Sequence, residues 1–271
     1  MSYSKKVQRT EPGLIVLVLD DSGSMSEPLG DTSEPRYACV ERYAHAILKE
    51  LLARCTELRN GVVAVKPRYF LQVVVYGSRP RLWTNEVVDI ERALTKFVDD
   101  DQGFGLGGSM GATDAEAALR LAHDVLQKAL AGRDFAKSFP PMLFHLTDGE
   151  SQTDALEISR KIRKLRTADG NVLLVNAYIG AQTALEYHGE KDFPGYLSEQ
   201  EVGDVEFCRR LFEMSSVAPD AIVDNLRDDR VFPRFRDGSR LFFDVRTQDM
   251  LKHVIQVVGS IGTRKMRQRS I

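Results

Sequence analysis

An uninterrupted run of apolar residues, 14–19, ends abruptly at the acidic pair Asp20 and Asp21. The run has no polar face, which is typical of a strand covered on both sides in a parallel sheet. Similar strand-like runs occupy residues 69–76, 141–147, 172–179 and 241–245. Helix-like spacing of apolar residues occurs between them, at 36–58, 89–98, 113–130, 154–167, 206–214 and 248–261. This alternation predicts a doubly wound α/β fold with a mainly parallel sheet.

The domain organisation follows from the continuity of this pattern. No linker interrupts it, so we predict one domain over residues 13–262, an N-terminal extension at 1–12 and a basic tail at 263–271. Residues 181–203 and 217–238 are weakly patterned, and we predict surface loops or short helices there. The late part of the domain, 181–238, is therefore expected to be enlarged.

Composition excludes several classes of function. The formal net charge is −2, which gives no global attraction to nucleic acid or to a membrane surface. No segment approaches the roughly 20 apolar residues of a membrane helix, and the start of the chain lacks the pattern of a secretory signal. The cysteines Cys39, Cys55 and Cys208 form no CxxC pair, which argues against a zinc site or a disulfide framework. We therefore expect a reducing, cytoplasmic location.

Oxygen-bearing side chains follow the first strand in the spacing D-x-S-x-S, as Asp20, Ser22 and Ser24. Asp148 comes directly after another strand, and Thr113 ends a glycine-rich loop before a helix. Ligands of open α/β sheets bind beyond the carboxyl ends of the strands, so three loops are expected to bring these groups to one edge. Such oxygen ligands suit Mg²⁺, with Mn²⁺ or Ca²⁺ as possible substitutes.

The mixture of hydroxyls and carboxylates indicates the use of this site. If Ser22, Ser24 and Thr113 bind the cation directly while Asp20 and Asp148 act through water, the neutral hydroxyls leave the cation electrophilic. It then favours an external carboxylate in its open position. The site is thus expected to serve recognition, not catalysis.

Three segments resemble the von Willebrand factor A domain family, which includes the integrin I domains. They are Leu17-Val-Leu-Asp-Asp-Ser-Gly-Ser-Met25, Gly111-Ala-Thr-Asp-Ala-Glu-Ala-Ala-Leu119 and Phe144-His-Leu-Thr-Asp-Gly149. The residues of these motifs are most similar to those of bacterial stand-alone members with a complete metal-ion-dependent adhesion site (MIDAS). The resemblance implies a mainly parallel sheet with helices on both faces and one antiparallel edge strand.

The resemblance also implies ligands and partners. It makes Ser22, Ser24 and Thr113 direct ligands and Asp20 and Asp148 water-mediated or switching ones. It further implies a non-enzymatic protein–protein interaction module in which a Glu or Asp of a partner completes the coordination. The implied partners are ATPases, kinases or phosphatases of a bacterial stress or defence system.

Other interpretations of the same residues are open. A metal-assisted phosphohydrolase would use the same cation, although the sequence shows no obvious general base and no obvious phosphate-binding lysine. A structural subunit would use the metal only to stabilise its loop. The GxGxxG of residues 103–108 follows a predicted helix instead of a strand, so we interpret its glycines as hinges around Thr113 instead of a nucleotide site. The basic tail is predicted to be solvated, and nucleic-acid binding is not expected.

Overall fold

The computed structural model describes residues 3–30, 32–99, 103–108, 111, 113–149, 151, 153–180 and 183–260. The predicted tail 263–271 lies outside them, as do the first two residues of the predicted extension. The strands are β1 (Gly13–Asp20), β2 (Thr56–Arg59), β3 (Val62–Val65), β4 (Tyr69–Tyr76), β5 (Arg81–Leu82), β6 (Val88–Asp89), β7 (Met142–Thr147), β8 (Leu173–Ile179) and β9 (Phe242–Val245). The helices are α1 (Arg36–Cys55), α2 (Ile90–Asp99), α3 (Ala115–Ala131), α4 (Arg133–Ala136), α5 (Leu156–Ile162), α6 (Glu199–Val202), α7 (Glu206–Met214), α8 (Asp220–Asp228) and α9 (Gln248–Ser260).

The main sheet confirms the predicted fold class. Its strand order is β5-β4-β1-β7-β8-β9, and β6 also pairs with β4. The pairs among β4, β1, β7, β8 and β9 are parallel. The antiparallel edge consists of two short segments, β5 and β6, which both pair with the outer side of β4. No helix in the described part of the chain is long and apolar enough to cross a membrane.

Helices cover both faces of this sheet. On one face α1 contacts α2 and α9, and on the other α3 contacts α5, which contacts α7. Strand β7 shows how its residues divide between the faces: Phe144 and Leu146 lie with α1 and α9, whereas His145 and Thr147 lie with α3 and α7. Successive side chains of a strand point to opposite faces of the sheet. Because helices cover both faces here, both sets of side chains are buried.

The end of α1 differs from the sequence prediction. A helix was expected over residues 36–58, but α1 ends at Cys55 and the chain continues as the antiparallel hairpin β2–β3. Asn60 and Gly61 form its two-residue turn, with φ of 50° and 79°. Asn-Gly is a strong hairpin signal because both residues tolerate positive φ. The interpretation of this pair as a helix stop was therefore wrong, because the helix ends at Cys55 and the pair is the turn of a hairpin.

The late region 181–238 contains short helices, as predicted, but much of it is not surface. Six aromatic side chains are completely buried where it packs on β9: Phe193, Tyr196, Phe232, Phe235, Phe242 and Phe243. The ring centroid of Phe193 lies 5.2–6.2 Å from those of five other rings, four of this aromatic cluster and the neighbouring Tyr187. The sequence periodicity missed this cluster because the four members outside β9 come from irregular segments that carry no repeating pattern.

Candidate metal centre

Asp20 ends β1 in the middle of the sheet and is completely buried. Its Oδ1 accepts a hydrogen bond of 2.9 Å from the Ser22 backbone N–H, and its Oδ2 accepts one of 2.6 Å from the Thr147 hydroxyl. Burial raises the pKa of this carboxyl to about 6, against the lowering effect of these hydrogen bonds. A cation bound nearby would stabilise the charged form of this buried carboxylate, because it would replace the lost hydration.

Ser22, Ser24 and Asp148 converge although they come from two different loops. The Ser22 and Ser24 hydroxyl oxygens are 3.1 Å apart, and Ser24 Oγ donates to Asp148 Oδ1 over 2.8 Å. Neighbouring ligands of an octahedron with bonds of ~2.0–2.1 Å lie ~2.9 Å apart, because the two bonds meet at a right angle. The spacings between Ser22 and Ser24 and between Ser24 and Asp148 are therefore compatible with adjacent ligands of one small hard cation, and they are also ordinary hydrogen-bond distances.

Thr113 is the member of the predicted ligand set that follows the glycine-rich loop. Strand β4 is aligned with β1 so that Tyr76 lies opposite Asp20, and the backbone N–H of Asp114 donates to the carbonyl of Gly77, one residue further. Thr113 is buried, and its carbonyl accepts from the Ser151 hydroxyl. The structure thus brings Thr113 to the same edge, and ligation by its hydroxyl stays a prediction.

Arg36 is a site residue that the sequence interpretation missed. Its Nη1 lies 2.6 Å from Asp148 Oδ2 and also donates to the Ser24 carbonyl over 3.3 Å. Its Nη2 pairs with Glu27, which is largely exposed, whereas the Asp148 side chain is fully buried. Arg36 begins α1 and lies far from Asp148 in sequence, so no local motif pointed to it.

Asp21 holds the glycine-rich loop and not the cluster of oxygens. Its Oδ1 accepts from the backbone N–H groups of Gly107 and Gly108, at 2.7 and 2.8 Å. Glu41 of α1 accepts from the N–H groups of Phe104 and Leu106 in the same loop. These N–H groups are thus bound to carboxylates of the protein, which argues against a phosphate cradle. Residues 109, 110 and 112, toward Thr113, lie outside the described part of the chain.

A line of buried polar groups runs from the cluster across the α3–α7 face of the sheet. The Tyr76 hydroxyl lies 2.6 Å from His145 Nε2, and His145 Nδ1 lies 2.8 Å from Asn176 Oδ1. Asn176 in turn donates to the Ser215 hydroxyl at the end of α7. Burial lowers the pKa of His145 to about 4, so the ring is neutral at physiological pH. His145 is therefore a packed residue of the protein interior.

The donor set fits a hard divalent cation. It consists of hydroxyl and carboxylate oxygens, and the described residues contain no group of three or more His, Cys, Asp or Glu side chains placed to hold a metal. A site for a softer metal such as structural zinc would need nitrogen or sulfur ligands, which this cluster lacks.

Residues 15–151 match the profile of the von Willebrand factor type A domain. The chain belongs to this family. The Asp20–Ser24 segment, Thr113 and Asp148 all fall inside the matched region, on the loops that close the carboxyl edge of the sheet. No match was found among curated proteins.

Several solved structures resemble this fold, although their sequences are only distantly similar to this chain. The pilus adhesin SpaC from Lactobacillus rhamnosus GG aligns with a TM-score of 0.57 and 14% identity over 95% of this chain and 31% of its own. Proximal thread matrix protein 1 from the mussel byssus, in a form described as having a zinc-occupied MIDAS motif, aligns with a TM-score of 0.51 and 16% identity over 92% of this chain. The alignment spans 48% of the mussel protein, about half its length.

Proposed function

We propose that this von Willebrand factor type A domain is a metal-dependent protein–protein interaction module. A complete adhesion site would hold Mg²⁺, with Mn²⁺ or Ca²⁺ able to substitute. Its ligands would be Asp20, Ser22, Ser24, Thr113 and Asp148. The cation would offer an open position to a Glu or Asp side chain of a partner protein.

The observation that carries this proposal is the arrangement around Asp148. One carboxylate oxygen lies with Ser24 at the spacing of octahedral neighbours, while the other pairs with Arg36. Two carboxylates, Asp20 and Asp148, would balance a divalent cation, but Arg36 pairs with Asp148. The Glu27 carboxylate that also pairs with Arg36 is largely exposed, so solvent screens its charge. The hydroxyl ligands add no charge. The loaded site would therefore keep positive charge, which favours an anionic ligand from outside.

The similar structures are consistent with this use. The mussel protein's MIDAS motif is described as zinc-occupied, and SpaC is described as a pilus adhesin. We favour Mg²⁺ here because the converging groups are all oxygens. The cellular setting is proposed as a bacterial stand-alone protein of the cytoplasm, which is consistent with three buried cysteines that form no disulfide. We propose an ATPase, a kinase or a phosphatase of a stress or defence system as the partner.

Calorimetric titration with Mg²⁺ and Mn²⁺ tests the site. We expect one cation to bind the wild-type chain and binding to be lost in Asp20→Ala and Ser22→Ala. Ser33→Ala is the matched control, because this exposed serine lies in the same connection to α1 and outside the cluster of oxygens. Unchanged binding in both Asp20→Ala and Ser22→Ala would show that the assignment is wrong.

A metal-assisted phosphohydrolase is the alternative use of the same cation. The nearest histidine, His145, has both ring nitrogens engaged by Tyr76 and Asn176, so it is not free to act as a general base. We expect no turnover of p-nitrophenyl phosphate or bis-p-nitrophenyl phosphate with Mg²⁺ or Mn²⁺. Turnover that disappears in Asp20→Asn would favour the enzyme instead.

A further inference from the structure

A cavity of about 190 Å³ opens directly beside the candidate metal centre, on the α3–α7 face of the sheet. Thr147 and Gly149 line it. The Thr147 hydroxyl also donates to Asp20, and a methyl group on Gly149 would lie 3.6 Å from the Ser24 hydroxyl oxygen. The cavity and the cluster of oxygens thus lie on either side of the short segment around Asp148.

The inner wall of the cavity is apolar. Ala155, Leu211 and Met214 line it and are buried, and the half-buried ring of Phe207 completes the wall. Phe207 is held in place by an edge-to-face contact with Tyr178, with the ring centroids 5.0 Å apart. These side chains favour an apolar occupant, because burying apolar surface is the main gain they can offer.

The polar groups around the cavity already have partners within the protein. Ser151 Oγ accepts from the N–H of Ala115, and Thr153 Oγ1 donates to Asp114. His145 is bound at both nitrogens, as described above. Arg210 at the rim pairs with Glu206. The cavity therefore presents no uncompensated positive charge for a second carboxylate or for a phosphate.

The size of the cavity restricts its occupant further. Sites for drug-sized ligands and cofactors have volumes of about 300–1,000 Å³. A cavity of about 190 Å³ is too small for a nucleotide but suits one side chain. In an extended peptide, side chains two residues apart point the same way and lie roughly 6.5–7 Å apart. A peptide whose acidic residue reaches the cation can thus place a neighbouring side chain here.

We propose that the cavity between α3, α5 and α7 is the specificity pocket of the interaction site. It takes one uncharged apolar side chain, aliphatic, methionine or aromatic, at a fixed position within two residues of the partner's acidic residue. This inference rests on the proposed metal-dependent binding of a carboxylate. In this proposal the partner is selected by contacts with Ala155, Phe207 and Met214. The cation binds the acidic residue that every partner has.

The test uses the full chain and a library of N-acetylated, C-amidated heptapeptides with a fixed central Asp or Glu and all other positions random. Selection is done in Mg²⁺ and, in parallel, in EDTA. We expect Mg²⁺-dependent enrichment of apolar residues at one fixed offset from the acid. Mg²⁺-dependent binding without a preference at any flanking position would overturn the pocket but leave the proposed function intact. No Mg²⁺-dependent binding of any library member would overturn both.

Two variants then place the preference in the cavity. Ala155→Met fills it, and we expect the affinity of the selected peptide to fall by about tenfold or more, as when a buried apolar side chain is expelled. Phe207→Ala enlarges it, and we expect selection to shift to larger side chains. The controls are Ala131→Met, on the exposed end of α3, and Phe135→Ala, a half-buried ring that packs on Phe70. An unchanged preference in both cavity variants, with Mg²⁺ titrations equal to wild type, would refute the assignment.

Discussion

Arg36 and Asp148 are separated by 112 residues in sequence, yet their charged groups lie 2.6 Å apart at the candidate metal centre. The Asp148 side chain is fully buried and that of Arg36 is mostly buried, so this pair is screened much less than a surface pair. A buried carboxylate left without its partner would be costly. Arg36 therefore both fixes the orientation of Asp148 and sets the charge that a bound cation meets.

Removing the guanidinium of Arg36 should separate its effect on the orientation of Asp148 from its effect on the charge at the site. In Arg36→Met we expect Mg²⁺ to bind about tenfold more tightly, because a positive charge that repels the cation is lost. The Mg²⁺-dependent binding of acidic peptides should weaken by a similar factor, since the loaded site keeps less positive charge. Titration calorimetry measures both quantities. Arg42→Met, which removes an exposed arginine of the same helix, is the control. Weaker binding of both Mg²⁺ and peptide would indicate that Arg36 only supports the fold.

His145 gives a second prediction at the scale of one residue. Its pKa in the folded protein is about 4, below the usual 6.5, so the unfolded chain takes up a proton first as the pH falls. The unfolding free energy should therefore decrease as the pH falls from about 6.5 to 4, by up to roughly 3 kcal/mol from this group.

The measurement compares denaturant unfolding of wild type and His145→Gln at pH 7, 6, 5 and 4. Carboxylates that titrate in the same range contribute to both proteins, so the difference between the two profiles isolates the histidine. We expect wild type to lose more stability than the variant as the pH decreases. Parallel profiles would show that His145 is protonated as easily in the folded as in the unfolded chain.

At the scale of elements, the two parts of the chain are held together differently. The central strands β1, β4, β7 and β8 and the helices that cover them follow regular apolar patterns. Residues 181–238 instead rely on a cluster of aromatic rings contributed by the connections between short helices. In such a region, tight backbone turns decide which rings meet. Gly195 is one of these turns: it has φ of +72° and lies between Phe193 and Tyr196, two rings of the aromatic cluster.

A pair of glycine variants tests this dependence. Gly195 and Gly189 both have positive φ, but a methyl group on Gly195 would lie 2.7 Å from the Ser239 hydroxyl and 2.8 Å from the Phe235 ring, whereas nothing lies within 4 Å of one on Gly189. We expect Gly189→Ala to cost roughly 1–3 kcal/mol of unfolding free energy from backbone strain alone, because φ of 78° with ψ of 163° is a region that is essentially restricted to glycine. Gly195→Ala should cost a further ~1–3 kcal/mol because of the added overlap. Urea unfolding measures both, and equal losses would contradict the packing argument.

At the scale of the whole molecule, the candidate metal centre connects loops that follow three parts of the sheet. Asp20 ends β1, Asp148 follows β7, and Thr113 precedes Asp114, whose backbone N–H is bound to the residue after β4. A cation that binds only this assembled arrangement should stabilise the folded protein as a unit, since the unfolded chain cannot hold the ligands together.

Thermal and denaturant unfolding in Mg²⁺ and in EDTA test this coupling. At a Mg²⁺ concentration about 100 times the dissociation constant, we expect a gain of ~2.7 kcal/mol in unfolding free energy. The gain should be absent in Ser22→Ala and retained in Ser33→Ala. A gain of the same size in Ser22→Ala would mean that the cation binds elsewhere on the protein.

The sequence by itself determined the fold class and the candidate ligands. Runs without a polar face, such as β1, are informative because a strand buried on both sides has no alternative environment, and D-x-S-x-S directly after one places its oxygens at the sheet edge. It also located α7 and β4 at the residues where the structure has them. The roles of Asp20, Ser22, Ser24, Thr113 and Asp148 at a metal stay a prediction for the titrations.

Tertiary structure alone decided the features that join distant segments. The pairing of Arg36 with Asp148, the aromatic cluster around Phe193 and the cavity beside Thr147 each arise where side chains from separate elements meet. The end of α1 was likewise decided by pairing, because residues 56–59 form a strand only with β3 beside them. Local patterns report which face of an element is buried, but the partner that buries it is set by the folded arrangement of the whole chain.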